Sequence, residues 1–132
     1  MIYLIFTILI AMEVAWDWYH MEKKGKSPNY AGSNMVRVMV GFIFWAISAR
    51  IQEMTPFQFL FMPILMFTMF WFLFDWWLNV ARTCSGNPHP YWYVGEKSSM
   101  DQFQRNNGGA FRWFWIKMSL ALTAFGLFEF FL

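Results

Sequence analysis

The sequence predicts an all-α membrane fold: four antiparallel transmembrane helices with a short interfacial helix in the third loop. Three observations predict it. Hydrophobic residues make up 58% of the chain and aromatics 23%, while charged residues reach only 14%, against about a quarter in an ordinary soluble domain. The apolar residues gather in four long stretches separated by polar ones. The lysines and arginines concentrate in or beside two alternate connections, the asymmetry that orients a multi-span protein. At 132 residues the chain is one domain, 1–132, too small to hide so many Phe, Trp and Met side chains from water.

A helix needs about 20 residues, at about 1.5 Å each, to cross the hydrocarbon core. The first stretch, 1–19, reaches that length if Glu13 and Asp17 lie toward the headgroups. It reads as a retained span, because no basic region leads it and these two carboxylates stand where a signal peptide would have its small-residue cleavage site. The second stretch, 35–50, is short. Ser33 and Asn34 are placed to cap it, and Arg37 and Arg50 would have to snorkel from its ends. The third, 56–81, opens with Thr55 as cap and Pro56 at the first helical position, a strong start signal. Pro63 should bend it, since proline removes a backbone donor and crowds the preceding turn. The fourth, 110–132, carries small residues at Ser119, Ala121, Ala124 and Gly126, as the second does at Gly41, Ala46 and Ala49. Such positions let helix backbones approach closely in lipid.

Of the connections, the link around Arg50 to Thr55 is brief and makes spans two and three a hairpin. The loop 82–109 is the longest. Within it Ser98 and Asp101 have capping-box spacing and should open a short helix, with Met100 and Phe103 resting on the bilayer surface. Tyr91, Trp92 and Tyr93 suit the membrane interface.

Lys23, Lys24, Lys26 and Arg37 lie in or beside the first loop, and Arg82, Lys97, Arg105, Arg112 and Lys117 in or beside the third, leaving Arg50 on the other face. Basic residues near span ends are retained on the cytoplasmic side. Loops 20–34 and 82–109 are therefore expected in the cytoplasm and both termini outside. A net charge of +2 without a basic tract gives no reason to expect nucleic acid as a partner. The single cysteine, Cys84, allows no intrachain disulfide and no multi-cysteine metal site.

Glu13, Asp17 and His20 are spaced i, i+4, i+7 and should share one helix face, and Asp75, Asn79 and Arg82 repeat that spacing on the third span. With the expected orientation both triplets lie near the cytoplasmic headgroups, level with Arg37 on span two and Arg112 and Lys117 on span four. Charges inside a membrane segment are costly and seek partners. The plainer reading is a set of ion pairs fixing helix register: Glu13 or Asp17 with Arg112 or Lys117, and Asp75 with Arg37 or Arg82. The sharper one is a site. Glu13, Asp17, His20 and Asp75 have the chemistry to hold a divalent metal or a phosphate-bearing headgroup. Against a metal, no Glu-x-x-His pair and no clustered histidines occur, the histidines being His20 and His89 alone. No phosphate-binding glycine loop or nucleophile motif is present, and no cofactor is expected. At the other face Glu129 is expected to pair with Arg50, with Glu53 as competitor. The aromatic run FWFLFDWW at 70–77 reads as packing or lipid-facing surface, the alternative being a pigment or quinone pocket.

Asp75 and Asn79 ending a span, followed by Tyr93-Val94-Gly95, Ser98 and Asp101, resemble a pattern in small multi-span membrane proteins of bacterial and phage genomes. The resemblance covers about thirty residues, and the spacer 85–90 is longer here. It implies a bacterial inner membrane or a virion membrane, and it singles out Asp75, Asn79, Tyr93, Gly95 and Asp101 without implying an activity. The expected function is that of a structural or accessory subunit, working through helix packing and a basic, aromatic cytoplasmic loop. Its partners would be membrane lipids and other membrane subunits or copies of itself. A membrane-embedded enzyme built on Glu13, Asp17, His20 and Asp75 is the alternative. A phage-type pore former or small transporter is another, but it requires a polar stripe across the bilayer that the middles of spans two and three lack.

Overall fold

The computed structural model describes residues 2–23, 30–94 and 99–131. Every regular element among these residues is helical, with no strand: α1 (Ile2–Trp18), continued by a π-helical turn (Tyr19–Lys23), then α2 (Tyr30–Ile51), α3 (Pro56–Cys84), α4 (Ser99–Asn106) and α5 (Gly109–Phe130). Two helices are long and apolar enough to cross a membrane. They are α2, through the 18-residue stretch Asn34–Ile51 with mean hydropathy 1.4, and α3, with 29 residues at 1.9. The other two long helices are more marginal: α1 has 17 residues, and α5 carries Arg112, Lys117 and Glu129.

Local chemistry accounts for the boundaries. Thr55 accepts a hydrogen bond from Gln58 N at 3.2 Å while the Gln58 side chain accepts one from Thr55 N at 3.0 Å. This reciprocal box, with Pro56 behind it, starts α3 where the sequence predicts. Helix α2 begins earlier than expected. It starts at Tyr30, so Ser33 and Asn34 lie inside its first turns and do not cap it. The added turn lengthens α2 to 22 residues and puts Arg37 well inside the helix. Between α4 and α5, Gly108 (φ 104°) and Gly109 (φ 81°) adopt left-handed backbone that side-chain-bearing residues avoid, and the chain reverses there. A Cβ on Gly108 would fall 2.9 Å from Arg112 Cδ, and the arginine side chain would have to move aside.

The long helices run up and down. Phe6 meets Phe44 while Glu13 meets Arg37, so α1 and α2 are antiparallel. Trp45 stacks on Phe59 while Arg37 lies over Phe70, so α2 and α3 are antiparallel too. Helix α3 is the hub, packed against α1, α2 and α5. Buried residues recur at helical spacing: Phe6, Ile10, Val14 and Asp17 on α1, and Phe114, Lys117, Ala121, Ala124 and Phe128 on α5. Of the small residues expected to bring helices together, Ala121 and Ala124 are buried, whereas Ser119 faces outward.

Helix α3 passes through Pro63 without a break. Proline has no N–H, so the carbonyl of Phe59, four residues earlier, lacks its helical donor. The indole Nε1 of Trp45 donates to that carbonyl at 2.8 Å. A side chain on the neighbouring helix thus supplies the bond that Pro63 withholds, and α2 is fastened to α3 at the same point.

The outer surface is apolar. On α2, Val38 is 72% exposed and Phe42 62%, and on α3 Phe57 is 72% exposed and Leu60 69%. Contiguous apolar surface on this scale is unusual for a protein surrounded by water.

Candidate functional site

The ionisable residues do come together at one end of the bundle, but with different partners from those expected. Arg37 bridges α2 to α1: its Nη2 donates to Asp17 Oδ2 at 2.8 Å and its Nε to Glu13 Oε2 at 3.2 Å. Its guanidinium also lies 4.9 Å from the centroid of the Phe74 ring, a cation–π contact with α3. Lys117 of α5 donates to Asp75 Oδ2 at 2.5 Å and lies 5.5 Å from the Trp71 ring centroid. Lys117 is only 2% exposed. The acidic residues of α1 are thus served by α2, and Asp75 by α5, which reverses the expected assignment. Arg112 does not reach Glu13 or Asp17. It sits one turn into α5, folded back over Gly108. Arg82 bonds Asn79 Oδ1 at 3.4 Å and the Met21 sulfur at 3.6 Å.

His20 makes its contacts within its own helix. It lies in the π-helical turn, whose wider winding changes the angular step just beyond Asp17. Its ring meets that of Trp16 at a tilt of 42° with centroids 4.3 Å apart, and its Nδ1 is 2.9 Å from the Trp16 carbonyl. Glu13, Asp17, His20 and Asp75 are accordingly not gathered on one point. Among the described residues no three of His, Cys, Asp or Glu are grouped as a metal would require.

Asn79 has a role that its helix face alone does not reveal. It is 2% exposed, and its amide donates to the carbonyls of Tyr91 at 3.0 Å and Tyr93 at 2.8 Å. One side chain therefore clamps the third loop to the end of α3. Tyr93 is held from other sides as well, with its ring stacked on His89 at 4.1 Å and flanked by the Arg82 and Arg105 guanidiniums at 5.6 and 5.7 Å. Arg105 donates to the Val94 carbonyl at 3.0 Å, joining α4 to the same loop. Gly95 and Ser98 lie outside the described residues, and Asp101 falls in the first turn of α4. Met100 and Phe103 are 45% and 49% exposed.

At the opposite end the expected Arg50–Glu129 pair is not formed. Glu129 accepts a hydrogen bond from the Tyr3 hydroxyl instead, because the end of α5 lies against the start of α1, where Tyr3 also meets Phe125 edge-on at 5.3 Å.

The helices leave a cleft of about 1210 Å³ between α1, α2 and α3, lined at the charged end also by residues of α4. Its walls change character along its length. Glu13, Asp17, Arg37 and Asp75 line one end, and Phe6, Phe44, Met66 and Phe67 the other. Two residues of the polar end carry buried acceptors without a donor, Asp17 at Oδ1 and Gln104 at Oε1. Ser48 Oγ is a third such atom, on a residue outside the cleft wall. Sequence reasoning overlooked Gln104 and Trp45, and read Gly41 as a point of close helix approach. The orphan carbonyl opposite Pro63 was a legible signal for a donor such as Trp45, whereas nothing local marks Gln104 as fully buried.

Compared with protein-family models, curated proteins and solved structures, the chain matches none of them.

Proposed function

We propose that the protein is a four-span integral membrane protein, with both termini outside, that serves as a structural or accessory subunit and docks through its third loop. The observation that carries this reading is the Asn79 clamp on Tyr91 and Tyr93. A loop held by buried hydrogen bonds is a preformed surface, and preformed surfaces lose little entropy on association. The surface it holds is aromatic. Trp92 packs edge-on against Tyr91 at 4.6 Å and Phe111 at 5.2 Å, and Phe111 continues to Trp115 at 6.2 Å. Tyr91, Phe111 and Trp115 remain more than two-fifths exposed.

The membrane assignment is supported by the setting of α2 and α3. Only 11% and 22% of their apolar stretches are buried within the bundle, whereas the core helix of a water-soluble protein would be mostly covered. On α1, Glu13 and Asp17 turn to Arg37, and on α5 Lys117 turns to Asp75, as charges within a bilayer should. The resemblance of the Asp75–Asp101 region to small bacterial and phage membrane proteins agrees with this placement.

A photo-crosslinking residue substituted for Trp92 tests the docking role. Irradiation of cells should give a discrete protein adduct, another subunit or a second copy, that the same label at Phe57 on the outer flank of α3 does not give. Lipid adducts alone at both positions would overturn the reading.

A further inference from the structure

We propose that two copies of the chain associate side by side through the outer face of α2, with Arg50 of each copy paired to Glu53 of the other. The inference rests on the membrane reading above and is independent of docking through the third loop.

The pattern along α2 comes first. Only 11% of its apolar stretch is buried within the bundle. One side of the helix serves that bundle: Arg37 pairs with Asp17, Trp45 bonds the Phe59 carbonyl, and Phe44 and Ser48 are buried. On the side turned away, Val36, Met39, Ile43, Ala46 and Arg50 are all exposed. They follow one another at steps of three, four, three and four residues, and Glu53 lies three further on. Alternating threes and fours average about 3.5 residues, the repeat of the seam between two helices that coil left-handedly around each other. Helix pairs in membranes mostly use that crossing, and a small residue such as Ala46 lets the backbones approach. Lipid contact alone asks for apolar side chains but sets no repeat.

The charges at the end of the seam select the occupant. Arg50 is exposed in the last turn of α2, and Glu53 is exposed in the turn that follows. Neither has an ion-pair partner among the described residues, although they are of opposite sign and three positions apart. Glu129, expected to meet Arg50, is bonded to Tyr3. Glu53 also holds left-handed backbone, φ 48°, just past the helix end, where glycine is the usual residue because a side chain disfavours that conformation. The chain thus keeps a carboxylate where glycine would sit with less strain, beside an arginine without a partner. A lipid phosphate would satisfy Arg50 but repel Glu53. A second copy satisfies both. Copies inserted in one orientation pair about an axis normal to the membrane, so the two α2 helices run parallel and residues of equal depth meet. The contact is then self-complementary, Arg50 to Glu53 and Glu53 to Arg50.

The test uses the full-length chain in bacterial membranes. In a Cys84→Ser background, Ile43→Cys should crosslink to a second copy on mild oxidation, whereas Val38→Cys, exposed on the other flank of α2, should not. After extraction in mild detergent, Arg50→Glu or Glu53→Arg alone should weaken the dimer about tenfold, the scale of two exposed ion pairs lost together. Both changes in one chain should restore it, and the two single variants co-expressed should form the mixed dimer. Glu53→Gly should weaken the dimer by a similar factor while the helical content and melting temperature hold or rise, which separates lost association from lost folding. Equal crosslinking at Ile43→Cys and Val38→Cys, or none at either, overturns the dimer and leaves the membrane reading standing. A crosslinked product with the mass of a different protein also overturns it. Sensitivity to Arg50→Glu that Glu53→Arg neither shares nor rescues would assign Arg50 to lipid phosphate and sink the pairing. A chain soluble without detergent overturns both readings.

Discussion

The indole of Trp45 donates to the Phe59 carbonyl at 2.8 Å, four residues before Pro63, and so completes the one helical bond that a proline must omit. The arrangement joins two helices at the place where one of them is weakest. It also explains how α3 stays continuous for 29 residues.

Removing that donor should cost stability only while Pro63 is present. Trp45→Phe keeps a ring to stack on Phe59 but leaves the carbonyl unpaired, a loss of about 1–2 kcal/mol. Pro63→Ala restores a backbone donor. In a double-mutant cycle read by detergent-induced unfolding, Trp45→Phe should cost clearly less in the Pro63→Ala background. Equal costs in both backgrounds would separate the indole from the proline.

The Lys117–Asp75 pair joins α5 to α3 with the lysine almost wholly enclosed. Asp75→Asn leaves an enclosed ammonium without its counter-charge, and breaking a buried pair in this way costs about 3–5 kcal/mol. Replacing both members with apolar residues, Asp75→Leu with Lys117→Met, should recover most of the loss, since the desolvation of both charges is then avoided. Thermal unfolding in detergent checks the order: the wild type and the double variant close together, Asp75→Asn well below.

Asn79 should control the third loop more than the bundle. Asn79→Asp replaces two donor hydrogens with a carboxylate facing two carbonyls. At about 1 kcal/mol for each lost bond, opening of the loop becomes roughly 30-fold easier. Hydrogen exchange at Tyr91 to Val94 and proteolysis across that loop should accelerate by this order, while the core of α3 stays protected. Uniform loosening of the whole chain would mean that Asn79 supports the bundle, not the loop.

The contrast between expectation and structure has a consistent physical cause. Sequence reports depth along a helix well, through length, charge and caps, and so Thr55, Pro56 and the level of Arg37, Asp75 and Lys117 were legible. It reports rotation about the axis and choice of neighbour poorly. Exchanging the neighbours of α1 and α3 moves Arg37 onto Glu13 and Asp17 and Lys117 onto Asp75 without altering any depth. The π-helical turn at Tyr19 had no sequence signal. The start of α2 at Tyr30 was hidden by Gly32, Ser33 and Asn34, which usually punctuate helices and here lie within one. Asn79 was visible as a residue of interest through the resemblance, but bonds to carbonyls 12 and 14 residues further on leave no local pattern.

The central claim, that these helices cross a bilayer with the third loop inside, is tested most directly by the native cysteine. Cys84 is exposed at the end of α3, and Glu53, in the turn before α3, lies at its other end. In intact bacterial cells a membrane-impermeant maleimide should leave Cys84 unlabelled until the membrane is opened. In a Cys84→Ser background, Glu53→Cys and Phe131→Cys should label from outside at once. Labelling of Cys84 and Glu53→Cys from the same side would contradict the crossing of α3 and the account built on it.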